Sequence, residues 1–303
     1  MSAGGGDPVR AILYAFFANL GIAIAKLAAA LYTGSSSMMA ESIHSGADSG
    51  NQLLLLLGLR RAKKEPDAEH PLGYGKASFF WSFIVALVLF SLGGLFSLYE
   101  GYHKLHDEGP VEEAWVALVV LGLAIILEAI SLRGCMREIR LIRGERTLRE
   151  WLAASRNAEL VVVFGEDIGA LVGLIVAFIF LCIAAATGDA RYDAYGSMTI
   201  GSILLVIATW LGLRIHGLLL GRSADPALQR AISEHIAGDE DIVDVFNVIT
   251  MQMGPQVVLA AKIRLKGGLP TSAACRAIND LERELKARFP EIRWSFIEPD
   301  VED

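Results

Sequence analysis

Ser37–Leu59 reads SMMAESIHSGADSGNQLLLLLGL. A bilayer core about 30 Å thick takes about 20 residues of helix to cross, and this stretch has the length. Its second half is the apolar run Leu53–Leu57, yet its first half carries Glu41, His44, Asp48, Asn51 and Gln52. Positions 41, 44, 48 and 51 recur at intervals of three and four, which places them on one face of a helix. A polar stripe on an otherwise apolar span has to point into a bundle rather than at lipid. The stretch therefore predicts a helix with other helices around it.

Five further blocks have spanning length: Ala11–Thr33, Ser78–Tyr99, Val111–Leu132, Ala158–Thr187 and Tyr195–Leu220. Hydrophobic residues make up 53% of the 303-residue chain, and mean hydropathy is +0.46. They lie in long blocks rather than at amphipathic spacing. Buried helices of a large soluble protein need amphipathic helices to cover them, and none is read before Arg222. The expected architecture is a membrane all-α bundle of six helices over residues 1–220. The opening MSAGGGDPVR lacks the basic start, short apolar core and small-residue cleavage site of a secretory signal peptide. Cys135, Cys182 and Cys275 are scattered and imply neither disulfides nor a thiolate metal site.

Orientation follows from the basic residues between spans. Arg60, Arg61, Lys63, Lys64 and Lys76 follow the second block. Arg133, Arg137, Arg140, Arg143, Arg146, Arg149 and Arg156 follow the fourth. The opposite loops hold only Lys104 and Arg191. An integral multi-pass protein with both termini in the cytoplasm is expected. The arginine-rich stretch also reads as a lipid-phosphate or nucleic-acid patch. Positive-inside sorting accounts for it without a partner, and no nucleic acid is expected.

After Leu220 the pattern changes. Asp225–Ala237 reads as a short amphipathic helix opened by Asp-Pro and stopped at Gly238. Strands are expected at Asp241–Met251 and Gln256–Leu265, parted by Gly254-Pro255. Within the second, Val257, Leu259, Ala261, Ile263 and Leu265 recur with period two. A helix at Thr271–Phe289 and a strand at Ile292–Ile297 complete a cytoplasmic α+β domain, αββαβ, over residues 221–303. Its small core makes self-association a reasonable expectation.

An ionisable residue inside a spanning helix is costly unless it faces a cavity or partner, so it marks function. Helix 5 holds Glu166 and Asp167. At about 1.5 Å of rise per residue, Asp48 and Asp167 fall at matching depth on antiparallel spans. Gly165, Gly169 and Gly173 form a small-residue stripe suited to close helix approach, and Gly46 and Gly50 suggest the same on helix 2. One imidazole with two or three carboxylates suits zinc, with Co²⁺, Fe²⁺ or Mn²⁺ as alternatives. The opposing reading is a packed His44–Asp48 hydrogen-bonded pair. Asn19 reads as interhelical glue near the site, Lys26 as snorkelling outward, and Glu128 as paired with an arginine near the inner end. Arg214 and His216 are expected to be solvated. No HExxH motif is present, which sets aside an intramembrane hydrolase.

These residues resemble a known family. TGSSSMMAESIHSGADSGNQ (Thr33–Gln52) and HPLGYGK (His70–Lys76) are similar to the cation diffusion facilitators, zinc transporters and their relatives. Ala40-Glu41-Ser42-Ile43-His44 with Phe164-Gly165-Glu166-Asp167 looks nearest to the branch of the mitochondrial-type animal zinc transporter and its bacterial relatives. The resemblance implies a homodimeric metal/proton exchanger in a lipid bilayer, here a bacterial inner membrane. It exports a divalent metal ion from the cytoplasm by alternating access and has no cofactor. The ligands it implies are His44 and Asp48 from helix 2 and Asp167 from helix 5. The remaining ligand position falls on Val163, so either water completes the site or Glu166 substitutes after a local rotation. A secondary loop site would map to Asp67, His70 and Tyr74, and Asn51 and Asn19 are candidate gate residues. The cytoplasmic domain, whose one histidine is His235, is expected to dimerise, its acidic end Glu298–Asp303 being a solvated tail. The alternative function is a membrane metal sensor or scaffold that does not transport.

Overall fold

A computed structural model describes residues 7–33, 36–106, 114–189 and 191–302; the side chains of residues 33, 36–38, 40, 41, 43, 44 and 114 lie outside that description. Helix α1 (Pro8–Thr33) opens with Asp7, whose carboxylate accepts from the Val9 amide at 3.0 Å, and with proline at its first position. Helix α2 (Ser36–Ala62) follows. Helix α3 (Ala77–Val88) runs through a π-helical segment, Leu89–Leu95, into α4 (Phe96–Lys104). Helices α5 (Ala114–Arg143), α7 (Ala158–Thr187) and α8 (Arg191–Leu220) are each 30 residues long. The short α6 (Leu148–Ala154) lies between α5 and α7. It starts in a capping box in which Thr147 and Glu150 satisfy each other's amides.

Five stretches are long and apolar enough to cross a membrane: α1, α3–α4, α5, α7 and α8. Helix α2 has the length, but its polar stripe lowers its hydropathy. The surfaces of these helices carry Phe17, Leu31, Val119, Val206 and Leu213, each more than 60% exposed. Each large apolar side chain left in water forgoes about 1.5–3 kcal/mol, so a belt of them is suited to lipid. The chain is a multi-pass membrane protein.

Close approach explains how the bundle is assembled. The glycine stripe of α7 faces α8: a Cβ at Gly165 would meet Leu211 at 3.0 Å, and one at Gly169 would meet Leu204 at 3.0 Å. The π segment places Gly94 against Leu205, while Gly201 of α8 lies so near that a Cβ there would be 2.8 Å from the Gly94 carbonyl oxygen. Helix α2 differs from expectation. Among the described residues, Gly46 and Gly50 have nothing within 4 Å of a would-be Cβ, so there they do not seat a neighbouring helix.

Beyond the bundle come α9 (Pro226–Ala237), β1 (Ile242–Met253), β2 (Gln256–Leu265), α10 (Thr271–Arg288) and β3 (Ile292–Pro299). The sheet order is β1-β2-β3, with β1–β2 antiparallel and β2–β3 parallel. Met253 pairs with Gln256 across a two-residue hairpin, whose first central position requires the positive φ (+65°) of Gly254. A parallel neighbour needs a crossover, which α10 supplies. Leu259, Ala261 and Ile263 pack under Ile232, Ile236, Leu281 and Leu285, forming a core separate from that of the bundle.

The two parts meet through polar contacts. Arg156 donates to the carbonyls of Ser223 (2.6 Å), Ala224 (3.1 Å) and Ala154 (2.6 Å), and Arg146 pairs with Asp225 at 2.6 Å. The Gln252 amide donates to the Arg222 carbonyl at 2.9 Å, so the linker runs beside β1. Gly75 touches the hairpin turn backbone to backbone, and Arg293 pairs with Glu65.

Candidate functional site

Four helices converge on the acidic pair of α7. Asp167 is 1% exposed and accepts a hydrogen bond from the Ser131 hydroxyl of α5 at 3.0 Å. Glu166 is 5% exposed, and both its oxygens are occupied. Oε1 accepts from the Asn51 amide at 3.2 Å and Oε2 from the Gln52 amide at 2.9 Å, both from α2. The Gln52 carbonyl in turn accepts from Asn19 of α1 at 3.4 Å. Carboxylates are tolerated here because each is met by a donor on a neighbouring helix. Asn19 and Asn51 thus belong to the site's frame, with Asn51 bound directly to an acid.

Asp48 lies one turn from Asn51 and Gln52 on α2, half-buried, within electrostatic range of Glu166 and Glu128. Glu128 differs from expectation. It is 3% exposed, and the charges it senses are Asp167, Asp48 and Lys26 rather than an arginine. Lys26 does not snorkel. It is 8% exposed, with the interior carboxylate of Glu128 as a counter-charge. The acidic centre is therefore larger than the sequence suggested. Glu128 and Ser131 stand three residues apart in a span of aliphatic residues, and that spacing was the available signal. Arg214 is half-buried and donates to the Ser155 carbonyl at 3.2 Å, while His216 is exposed.

His44 lies on α2 with its backbone placed, but its side chain, like that of Glu41, is outside the described residues. Among the described residues no three His, Cys, Asp or Glu side chains gather at metal-ligand spacing. Val163 is fully buried.

The loop after α2 is built differently from an open metal site. Asp67 accepts from Lys64 Nζ at 2.9 Å, from the Tyr74 hydroxyl at 2.7 Å and from the amides of Glu69 and His70, while His70 stacks on Tyr74. Lys64, then Tyr74, holds the Asp67 carboxyl well below the usual carboxylate range. Lys64, Tyr74 and two backbone amides thus tie the Asp67 carboxylate into a polar knot that holds this loop together.

A profile of the cation efflux transmembrane domain matches residues 12–213. The chain is 30% identical to Metal tolerance protein C4 of Arabidopsis thaliana over 81% of its length, and 31% identical to the mitochondrial proton-coupled zinc antiporter SLC30A9 of Xenopus laevis over 80%. Those matches span 54% and 43% of the two relatives, so the chain covers about half of each. The cation-efflux pump FieF of Pectobacterium atrosepticum is 24% identical, with 88% of this chain and 84% of the relative covered. With six-tenths or more of the chain inside the family's own domain, and with buried acids on facing helices of an apolar bundle, this protein belongs to the cation diffusion facilitator family, whose members are transporters rather than enzymes.

Proposed function

We propose that the chain exchanges a divalent metal ion, zinc first among Zn²⁺, Mn²⁺, Co²⁺ and Fe²⁺, for protons across a bacterial inner membrane, with export from the cytoplasm. One observation carries the reading. Asp167, Glu166 and Asp48 stand buried or half-buried on α7 and α2 inside a lipid-facing bundle, where carboxylates are retained only for a purpose. Helix α2 serves as the sixth span, its polar stripe lining the path, and the basic loops set both termini in the cytoplasm. His44, Asp48 and Asp167 are the proposed ligands. Metal entering from the cytoplasm displaces protons, because ligands bind it deprotonated, and protonation on the far side releases it. His44 is the natural proton carrier, its ordinary pKa being about 6.5. Both Glu166 oxygens are held by amides, which favours water over Glu166 at the position vacated by Val163.

A homodimer accompanies this reading, with the domain boundary at residues 220 and 221. The sheet face turned away from α9 and α10 aligns Ile249, Ala260 and Phe296 in one row and Met251, Val258 and Trp294 in the next. Ile249 and Phe296 are more than half exposed. A second copy is the occupant that suits this face. The buried Val163 favours one other reading, a sensor that binds metal without moving it.

Proteoliposomes with an imposed pH gradient and an internal zinc dye separate these readings. Gradient-driven zinc flux that Asp48→Ala and Asp167→Ala abolish supports transport through this site. Equal flux in wild type and Asp48→Ala removes the site assignment. Zinc binding without flux supports the sensor.

A further inference from the structure

Seven arginines follow the apolar stretch of α5 in sequence, but the structure sorts them into two groups. Arg146 and Arg156 are spent on the linker, on Asp225 and on backbone carbonyls. Arg133, Arg137 and Arg140 are exposed, and none has an ion pair or hydrogen-bond partner among the described residues. At 3.6 residues per turn these three lie within about 100° of arc. The same arc carries Val119, Leu123, Ile126 and Ile130, all 44–64% exposed. A single helix face therefore changes from lipid-facing aliphatics to arginines between Ile130 and Arg133, with Leu141, 54% exposed, the one large apolar side chain on that arc beyond them. The two carboxylates of α5, Glu128 and Glu138, are each 3% exposed and point elsewhere.

Helix α1 gives the depth of that change. It runs antiparallel beside α5, with the Asp7 amide donating to Glu138 at 2.8 Å and the Tyr14 ring against Gly134. Its own exposed apolar side chains begin at Leu13 and Tyr14. Both helices therefore place the hydrocarbon edge at the level of Gly134. From Arg133 to Arg140 is about 10 Å along the axis, and the headgroup layer is roughly 5–8 Å thick on each side. Arg133 and Arg137 fall within that layer and Arg140 at its aqueous edge. Guanidinium groups are the side chains best shaped for phosphate oxygens.

We propose that Arg133, Arg137 and Arg140 form a binding site for the phosphate headgroup of an anionic phospholipid on the outer face of α5. Positive-inside sorting requires arginines on this side of the membrane. It does not require them to be unpaired, on one arc and directly below a lipid-facing stripe.

The test uses the full chain in detergent, with phosphatidylglycerol or phosphatidylcholine of matched acyl chains, and retained lipid is counted by native mass spectrometry. Wild type should retain phosphatidylglycerol in preference. Arg133→Gln, Arg137→Gln and Arg140→Gln should each lower the preference about fivefold, and the triple variant should abolish it. Each single variant keeps six of the seven arginines on that side, and hence the insertion signal. Arg230→Gln/Arg276→Gln/Arg283→Gln, which removes the same charge from the cytoplasmic domain, should leave the preference unchanged. The proposal is overturned if wild type shows no preference, if the single variants match it, or if the distant triple removes it equally. Displacement of the lipid by millimolar inorganic phosphate or by RNA would also overturn it, since the site would then read soluble anions.

Discussion

Gly75→Ala tests how the α+β domain seats on the bundle. A Cβ at Gly75 would stand 2.1 Å from the Met253 carbonyl oxygen and 2.6 Å from the carbonyl carbon. Side-chain carbons essentially never come closer than 3.0 Å to such atoms, so the surfaces have to part by 0.9 Å. Both obstructing atoms are backbone, and the hairpin that carries them is stiffened by Pro255, so no rotamer change relieves the clash. Overpacking of this kind costs about 1–3 kcal/mol. At 1.4 kcal/mol per factor of ten, the seated arrangement loses about fivefold to a hundredfold in population. Hydrogen exchange read by mass spectrometry should show faster exchange in peptides covering residues 65–76 and 250–258, with α7 unchanged. Gly267→Ala is the control, since among the described residues nothing lies within 4 Å of a Cβ there. If Gly75→Ala exchanges like wild type and Gly267→Ala, the two parts are not held by this contact.

Gly201→Val places a side chain against the Gly94 carbonyl and the Leu98 amide, both 2.8 Å from its Cβ. It should lower stability by about 1–3 kcal/mol in detergent melts, whereas Gly217→Ala, which meets nothing among the described residues, should not. Thr147→Ala removes the capping box of α6 and should cost about 1 kcal/mol, seen as faster exchange confined to Leu148–Ala154. The Lys64–Asp67–Tyr74 knot should persist at pH 5 and above. Asp67 titrates near 3.9 when unfolded and lower in the fold, so its contribution is lost only as pH falls below the ordinary carboxylate range. Protection of the Glu69 and His70 amides reports this. Asp67→Asn should abolish the pH dependence, and unchanged protection in that variant would refute the knot.

How much of this is legible in the sequence depends on what punctuates each element. Helix α7 can be read to the residue because Asn157 caps one end and Gly188, with φ +71°, stops the other. Helix α5 outruns its apolar block to Arg143 because arginines end hydropathy without ending a helix. Helix α6 is too short and too charged to announce itself. The π segment hides in an apolar run, since the winding changes over Leu89–Leu95 without a change in composition. At the site, charge inside apolar spans points to Asp48, Glu166 and Asp167. The partners do not show. Which acid Asn51 and Gln52 grasp, and that the glycine stripe of α7 faces α8 rather than α2, depend on helix rotation, which hydropathy does not encode.

Under the proposed ligand set, Val163 marks the point where two coordination schemes part. Val163 and Asp167 are four residues apart and so share a face of α7, and Val163 is fully buried. A local rotation that turned Glu166 toward the site would pull it away from its amide partners on α2, and each such bond is worth about 1.5–3 kcal/mol when the carboxylate is charged. Water meets no such obstacle. Val163→Asp should therefore supply the missing ligand and tighten zinc binding by about tenfold or more, measured by competition with a fluorescent chelator. Glu166→Gln keeps a hydrogen-bonding group of the same size and should change affinity less than Asp48→Ala. Melts with and without zinc guard against misfolding of Val163→Asp, whose new carboxylate should destabilise the metal-free state and be rescued by the ion. If Glu166→Gln instead loses zinc as completely as Asp48→Ala, and Val163→Asp gains nothing, then Glu166 is the fourth ligand and its amide cradle opens when metal arrives.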